Sequence, residues 1–181
     1  MPLPERMKTT RVSLSTVNTL ADKAEEILSK IDQGAGEEDD ELQMMMAEWN
    51  SQVVNPYAFS DFRDYLSWAS AKDFTQMAFN QERIFDDFLW KELIQIINFL
   101  RNTEGSESDQ SYALALLEIN FDANPSDLIY WPDAWFQDTE MLHVELTAEE
   151  IAGYLMAKSG RHLSDAPAIE LKYSIPINTL E

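Results

Sequence analysis

Residues 81–101 read QERIFDDFLWKELIQIINFLR. Ile84, Phe85, Phe88, Leu89, Leu93, Ile96, Ile97 and Leu100 recur at steps of three and four, and Trp90 and Ile94 widen the stripe. That spacing predicts one amphipathic helix over 81–101, whose broad apolar face makes it the expected centre of the core. Glu82, Asp86, Asp87 and Glu92 alternate with Arg83, Lys91 and Arg101, as on a solvated helix face.

On the N-terminal side, Leu14, Val17, Leu20, Ala21, Ala24, Ile27, Leu28 and Ile31 mark a helix over 13–32, stopped by Gly34 and Gly36. Residues 1–12 read as a flexible lead-in. Residues 33–41 read as an acidic hinge, because Glu37, Glu38, Asp39, Asp40 and Glu41 follow the glycines. Their consecutive spacing lacks the alternation and turn glycine of a calcium loop. It suits the positive end of a second helix, whose buried face is Leu42, Met45, Met46 and Trp49. Asn55-Pro56 ends that helix. Ser60 then offers an N-cap for a stripe of Phe62, Tyr65, Leu66 and Ala69, followed by a short helix over 73–79.

On the C-terminal side, 102–108 reads as a loop, 112–121 as a helix and Asn124-Pro125-Ser126 as a turn. Leu142, Val144 and Leu146 alternate with His143 and Glu145, which predicts a short strand. Thr147 and Glu150 have capping-box spacing and open a helix to Lys158 that Gly160 stops. Ile169, Leu171, Tyr173 and Ile175 alternate with polar residues and predict a second strand, expected to pair with the first. The fold class expected is therefore α+β, mainly helical: a single domain over 1–181, with about six helices around the central helix 81–101 and two or three short strands in the C-terminal third.

Composition narrows the function. The chain has 181 residues, 45% hydrophobic, with no cysteine. Disulfides, thiolate catalysis and cysteine-based zinc sites are excluded. The start lacks the apolar run of a signal peptide, and no stretch reaches the roughly 20 apolar residues of a membrane helix. These features lead to the expectation of a cytoplasmic protein. The net charge is −20. Direct contact with nucleic acid or anionic lipid is disfavoured, and basic partners are favoured. Residues 102–157 contain no lysine or arginine but twelve acidic residues.

Motifs for chemistry are absent. The two histidines are His143 and His162, and Glu140-x-x-His143 stands alone where a di-iron bundle would need two such pairs. No zincin motif, phosphate loop or nucleophile elbow occurs. No enzyme activity, cofactor or metal is expected. The informative stretch is 126–140, SDLIYWPDAWFQDTE, in which Tyr130, Trp131, Trp135 and Phe136 are interleaved with Asp127, Asp133, Asp138 and Glu140. Rings bind guanidinium faces and carboxylates take their N–H groups, so Asp127, Tyr130, Trp131, Asp133, Trp135, Asp138 and Glu140 are the candidate partner-binding residues. The same rings could instead plug the core.

The expected function is an acidic inhibitory protein, similar in physical type to immunity proteins and antitoxins, that masks a basic partner such as a toxin or nuclease. The alternatives are a small-molecule-binding domain or hydrolase with an aromatic-lined, carboxylate-containing pocket, and a structural subunit of a protein assembly.

Overall fold

The computed structural model describes residues 1–177. Among these the fold is all-helical, with no strand. The elements in order are α1 (Leu14–Asp32), α2 (Asp40–Asn50), α3 (Phe59–Asp64), α4 (Ala71–Phe79), α5 (Trp90–Arg101), α6 (Glu107–Asn120), α7 (Pro125–Tyr130), α8 (Pro132–Phe136) and α9 (Ala148–Ser159). Three 3-10 turns, Glu5–Met7, Tyr65–Ser67 and Thr139–His143, complete them. The chain forms two compact units. One comprises 9–81 with 106–112 and is called the α1–α4 unit. The other comprises 1–8, 82–105 and 113–177 and is called the α5–α9 unit.

In the α1–α4 unit, α1 starts where the Ser13 hydroxyl accepts the Thr16 N–H. It buries Val17, Leu20, Ala21, Ala24, Ile27 and Leu28, and the turn beyond it uses Gly34 at φ +107°. The acidic run then serves as a cap: Asp39 accepts the Leu42 N–H at 2.9 Å, and Asp40 and Glu41 occupy the first turn of α2. Negative charge there meets the helix dipole, each group contributing roughly 0.3–1 kcal/mol. Lys30 pairs with Glu41 at 2.8 Å. Trp49 anchors the core: its Nε1–H donates to the Leu20 carbonyl at 2.8 Å, and its ring packs edge-on against Phe62, 5.2 Å away. Tyr57 and Tyr65 both stack on Phe74. Helix α3 opens two residues earlier than the Ser60 cap predicts, because Asp61 reaches back to accept the Ala58 N–H.

The α5–α9 unit corrects the central expectation. Helix α5 covers only Trp90–Arg101, and 81–89 is not helical. The cause is hydrogen bonding from groups distant in the sequence. Asn120 Oδ1 accepts the Phe85 N–H at 2.9 Å, while its Nδ2 donates to the carbonyls of Arg83 and Leu116. The Arg161 guanidinium donates to Asn120 Oδ1 at 2.9 Å and to the Phe85 carbonyl. Arg6 takes the Asp87 carbonyl. Backbone groups that an α-helix would use are thus taken by side chains. Phe85 and Phe88 are buried all the same, the latter edge-on to Phe121 at 5.3 Å. The start of α5 is fixed by carboxylates: Glu92 accepts the Leu89 N–H at 3.0 Å and Asp165 the Trp90 N–H at 2.9 Å.

Both expected strands are also corrected. Residues 139–143 form a 3-10 turn, and 144–146 run on with no strand partner among the described residues. Residues 169–175 belong to no helix or strand and lie along α9 as a strap. A Cβ placed at Gly153 would sit 2.9 Å from Leu171 Cδ2 and 3.0 Å from Ile169 Cγ2, so the absent side chain is what lets the strap approach. Tyr154 OH accepts the Tyr173 N–H at 2.8 Å and donates to the Tyr173 carbonyl. Of the alternating residues, Ile169, Leu171 and Ile175 are partly buried and Tyr173 is exposed, so the period of two marks a partial contact with a helix and not a strand in a sheet. Helix α9 opens with the Thr147–Glu150 capping box and closes at Gly160, φ +74°. It buries Ile151, Ala152, Gly153, Tyr154, Leu155 and Met156 and packs on α5. That pair, rather than a helix over 81–101, forms the middle of this unit.

Met1–Lys8, read from the sequence as part of a flexible lead-in, is pinned to the same unit. Leu3 and Met7 are buried. Arg6 reaches Glu92 through Nε and Nη2, both at 2.7 Å, and Asp87 through Nη1 at 2.7 Å. The Arg6 bonds to Glu92, with the Leu89 N–H, hold the Glu92 carboxyl below its ordinary value. The sign follows: the contribution of Glu92 is fully present above its ordinary value of 4.5 and is lost as pH falls through the lowered folded value. Arg6→Met is therefore expected to destabilise the chain by roughly 1–3 kcal/mol at neutral pH, the range for charge-assisted bonds at a partly screened site. Urea unfolding followed by circular dichroism should show that gap narrowing once pH drops below 4.5. A gap unchanged by pH would contradict the assignment.

Candidate functional site

The aromatic-acid stretch folds into two short helices because its caps are strong. Asn124 adopts φ +50° as the N-cap of α7; its side chain accepts from the Asp127 N–H and donates to the Asp127 carboxylate at 2.7 Å. Pro125 and Pro132 open α7 and α8, where a missing N–H costs nothing. Trp131 closes one helix and caps the next, and Gln137 ends α8 at φ +54°.

This arrangement separates the two tryptophans. Trp135 is 6% exposed. Its Nε1–H donates to the Ala123 carbonyl at 2.7 Å, and its ring lies edge-on to Phe136 and Tyr154. It is a core residue, as is Phe136. Trp131 is 61% exposed, Tyr130 43% and Leu142 53%. Burial of part of its ring pushes the Tyr130 phenol up from its ordinary value. Tyr130, Pro132, Leu142 and Val144 line an open groove of about 400 Å³, with Arg101, His143 and Glu145 also in the lining. Arg101 faces Glu145 at 3.6 Å, so the cation of the groove has a carboxylate opposite it.

The predicted acids divide. Asp127 and Asp138 act locally, Asp127 on Asn124 and Asp138 as acceptor of the Glu140 N–H at 2.9 Å. Asp127, with Trp135, borders a second groove of about 400 Å³ that also contains Asp122 and Gln137. Asp138 and Glu140 are exposed. Asp133 Oδ1 is buried with no hydrogen-bond partner among the described residues. Leu142 escaped the sequence reading because its alternation with Val144 placed it in a strand. Trp68, 47% exposed in the other unit, escaped it because it falls among residues assigned to a helical stripe.

Among the described residues, no cluster of three or more histidine, aspartate or glutamate side chains is placed to hold a metal ion. No described helix is long and apolar enough to cross a membrane. Comparison with protein-family models, with curated proteins and with solved structures finds no match to this chain.

The two indoles should answer differently to truncation. Trp135→Ala removes a buried ring and leaves the Ala123 carbonyl without its donor, so a loss of about 3–5 kcal/mol is expected. Trp131→Ala should stay within about 0.5 kcal/mol of the parent. Chemical denaturation of the two variants measures both. Equal losses would place Trp131 in the core and remove it from the site.

Proposed function

We propose that the chain is a cytoplasmic, acidic binding protein, immunity- or antitoxin-like in physical type, that docks on a basic protein. Its contact is Tyr130, Trp131 and Leu142, edged by Asp133, Asp138, Glu140 and Glu145. The observation that carries the reading is the 61% exposure of Trp131, next in the chain to Tyr130, which lines the open groove together with the half-exposed Leu142. A lone exposed ring is ordinary, but an exposed indole adjoining a groove with two further large apolar side chains is of the kind that marks interfaces.

Charge supports the choice of partner. The chain carries −20, and several of its cations are already engaged: Arg101 with Glu145, Arg6 with Glu92 and Asp87, Lys172 with Glu150. A cationic surface would be steered to this region, and an anionic one repelled. The rings would take guanidinium groups on their faces while the carboxylates accept the N–H donors.

The test is capture of protein on the immobilised chain at low salt, followed by affinity measurement on whatever basic protein is retained. Binding is expected to fall steeply as salt shortens the screening length from about 10 Å at 0.1 M to about 3 Å at 1 M. Trp131→Ala is expected to weaken it about 30-fold, the effect of an interface anchor. Retention of no basic protein, or retention that ignores both salt and the loss of Trp131 and Tyr130, would overturn the reading.

A further inference from the structure

The α1–α4 unit carries another exposed indole, which the reading above does not use. Trp68 closes the 3-10 turn Tyr65–Ser67, its N–H bound to the Tyr65 carbonyl at 3.0 Å. The ring leans on the buried Phe74 at 5.8 Å, yet the residue stays 47% exposed, and Leu66 two positions earlier is exposed too. With Ser70, Asp73 and Glu107 they line a shallow groove of about 580 Å³. Its charged lining is wholly acidic. Asp73 and Glu107 take part in none of the ion pairs of the described residues. Arg63, on the preceding helix, is held by Asp64 at 2.6 Å and lies over the Phe59 ring. Lys72 precedes Asp73 on α4 but is not part of the lining.

We infer that this groove receives an arginine side chain from a basic protein segment. A guanidinium is flat, weakly hydrated and always charged, so it can lie on the indole while its N–H groups meet the two carboxylates. Lysine offers the same charge as a compact, strongly hydrated point and stacks less well. Charge complementarity also rules on the other occupants. A second copy would bring another −20 to an acid-rimmed groove and be repelled. A quaternary ammonium ligand calls for a cage of several rings, and this groove presents a single indole. The site stands on its own residues and does not rest on the Tyr130–Trp131 reading.

The experiment uses the full chain with ¹⁵N-labelled tryptophan, titrated with hexa-arginine and, in parallel, hexa-lysine. The indole N–H signals of Trp68 and Trp131 are followed separately, each assigned by a single Trp→Phe substitution. The Trp68 signal is expected to shift to saturation, with hexa-arginine binding at least ~3-fold tighter than hexa-lysine. Glu107→Gln, at an exposed position, should weaken that binding about 3-fold, and Asp73→Asn with it further. Trp131→Ala should leave the Trp68 titration unchanged. A Trp68 signal that stays still, or that moves equally in the Asp73→Asn/Glu107→Gln pair, overturns the inference. So does a Trp68 shift that grows with protein concentration alone, which would make a second copy the occupant. A still Trp131 signal beside a moving Trp68 signal would count against the proposed function and not against this site.

Discussion

One buried carboxamide holds the α5–α9 unit in its shape. Asn120 gives and receives hydrogen bonds with the Arg83 and Leu116 carbonyls, the Phe85 N–H and the Arg161 guanidinium. Every polar atom of its side chain is used, so the group can be 5% exposed without a desolvation penalty left over. Arg161 extends the node by donating to the Asn120 and Phe85 carbonyls while its guanidinium lies over Phe121 and Phe88. Bonds to a charged donor contribute about 1.5–3 kcal/mol each. That is enough to outweigh the few tenths of a kcal/mol per residue by which helix propensity would favour winding 82–88 onto α5. With this segment unwound, Phe85 and Phe88 turn inward and Asp87 meets Arg6, which ties the chain's first residues to the unit.

The features legible in the sequence were those set within one helical turn. The Thr147–Glu150 box places the start of α9, because a cap and its donor lie three residues apart, and Gly160 places its end. The break at Leu89 was not legible, since its causes sit at Asn120, Arg161 and Asp165 while the local apolar period continues unbroken through it. The strap failed differently. Its alternation predicted a strand that does not form; Ile169 and Leu171 meet α9 at Gly153 instead, a helix that periodicity could not foresee. The candidate site was half legible. Aromatic residues among acids marked the region, while the choice of Trp131 as exposed and Trp135 as buried depended on the Ala123 carbonyl and on the kink between α7 and α8.

A chain with a net charge of −20 loses stability to self-repulsion, and several of its thirteen cations are placed where they do structural service. Arg6 and Arg161 hold backbone and carboxylate inside one unit, and Lys30 links α1 to the acidic start of α2. In the two grooves, Glu145 lies with Tyr130 and Leu142, and Asp73 and Glu107 with Leu66 and Trp68. Under the proposed function, such surfaces would favour a guanidinium-bearing partner over an anionic one. The account of stability and the account of binding therefore meet in one division: some cations are engaged by carboxylates and carbonyls of their own unit, while Trp68 and Trp131 stay exposed.

The most direct test of this architecture is the backbone conformation of 82–88 in solution. Carbon chemical shifts and amide hydrogen exchange should show these residues non-helical, with the Phe85 amide strongly protected, and Asn120→Ala should abolish that protection while α9 stays intact. Helical shifts running unbroken from Glu82 to Arg101 in the parent chain would contradict the account.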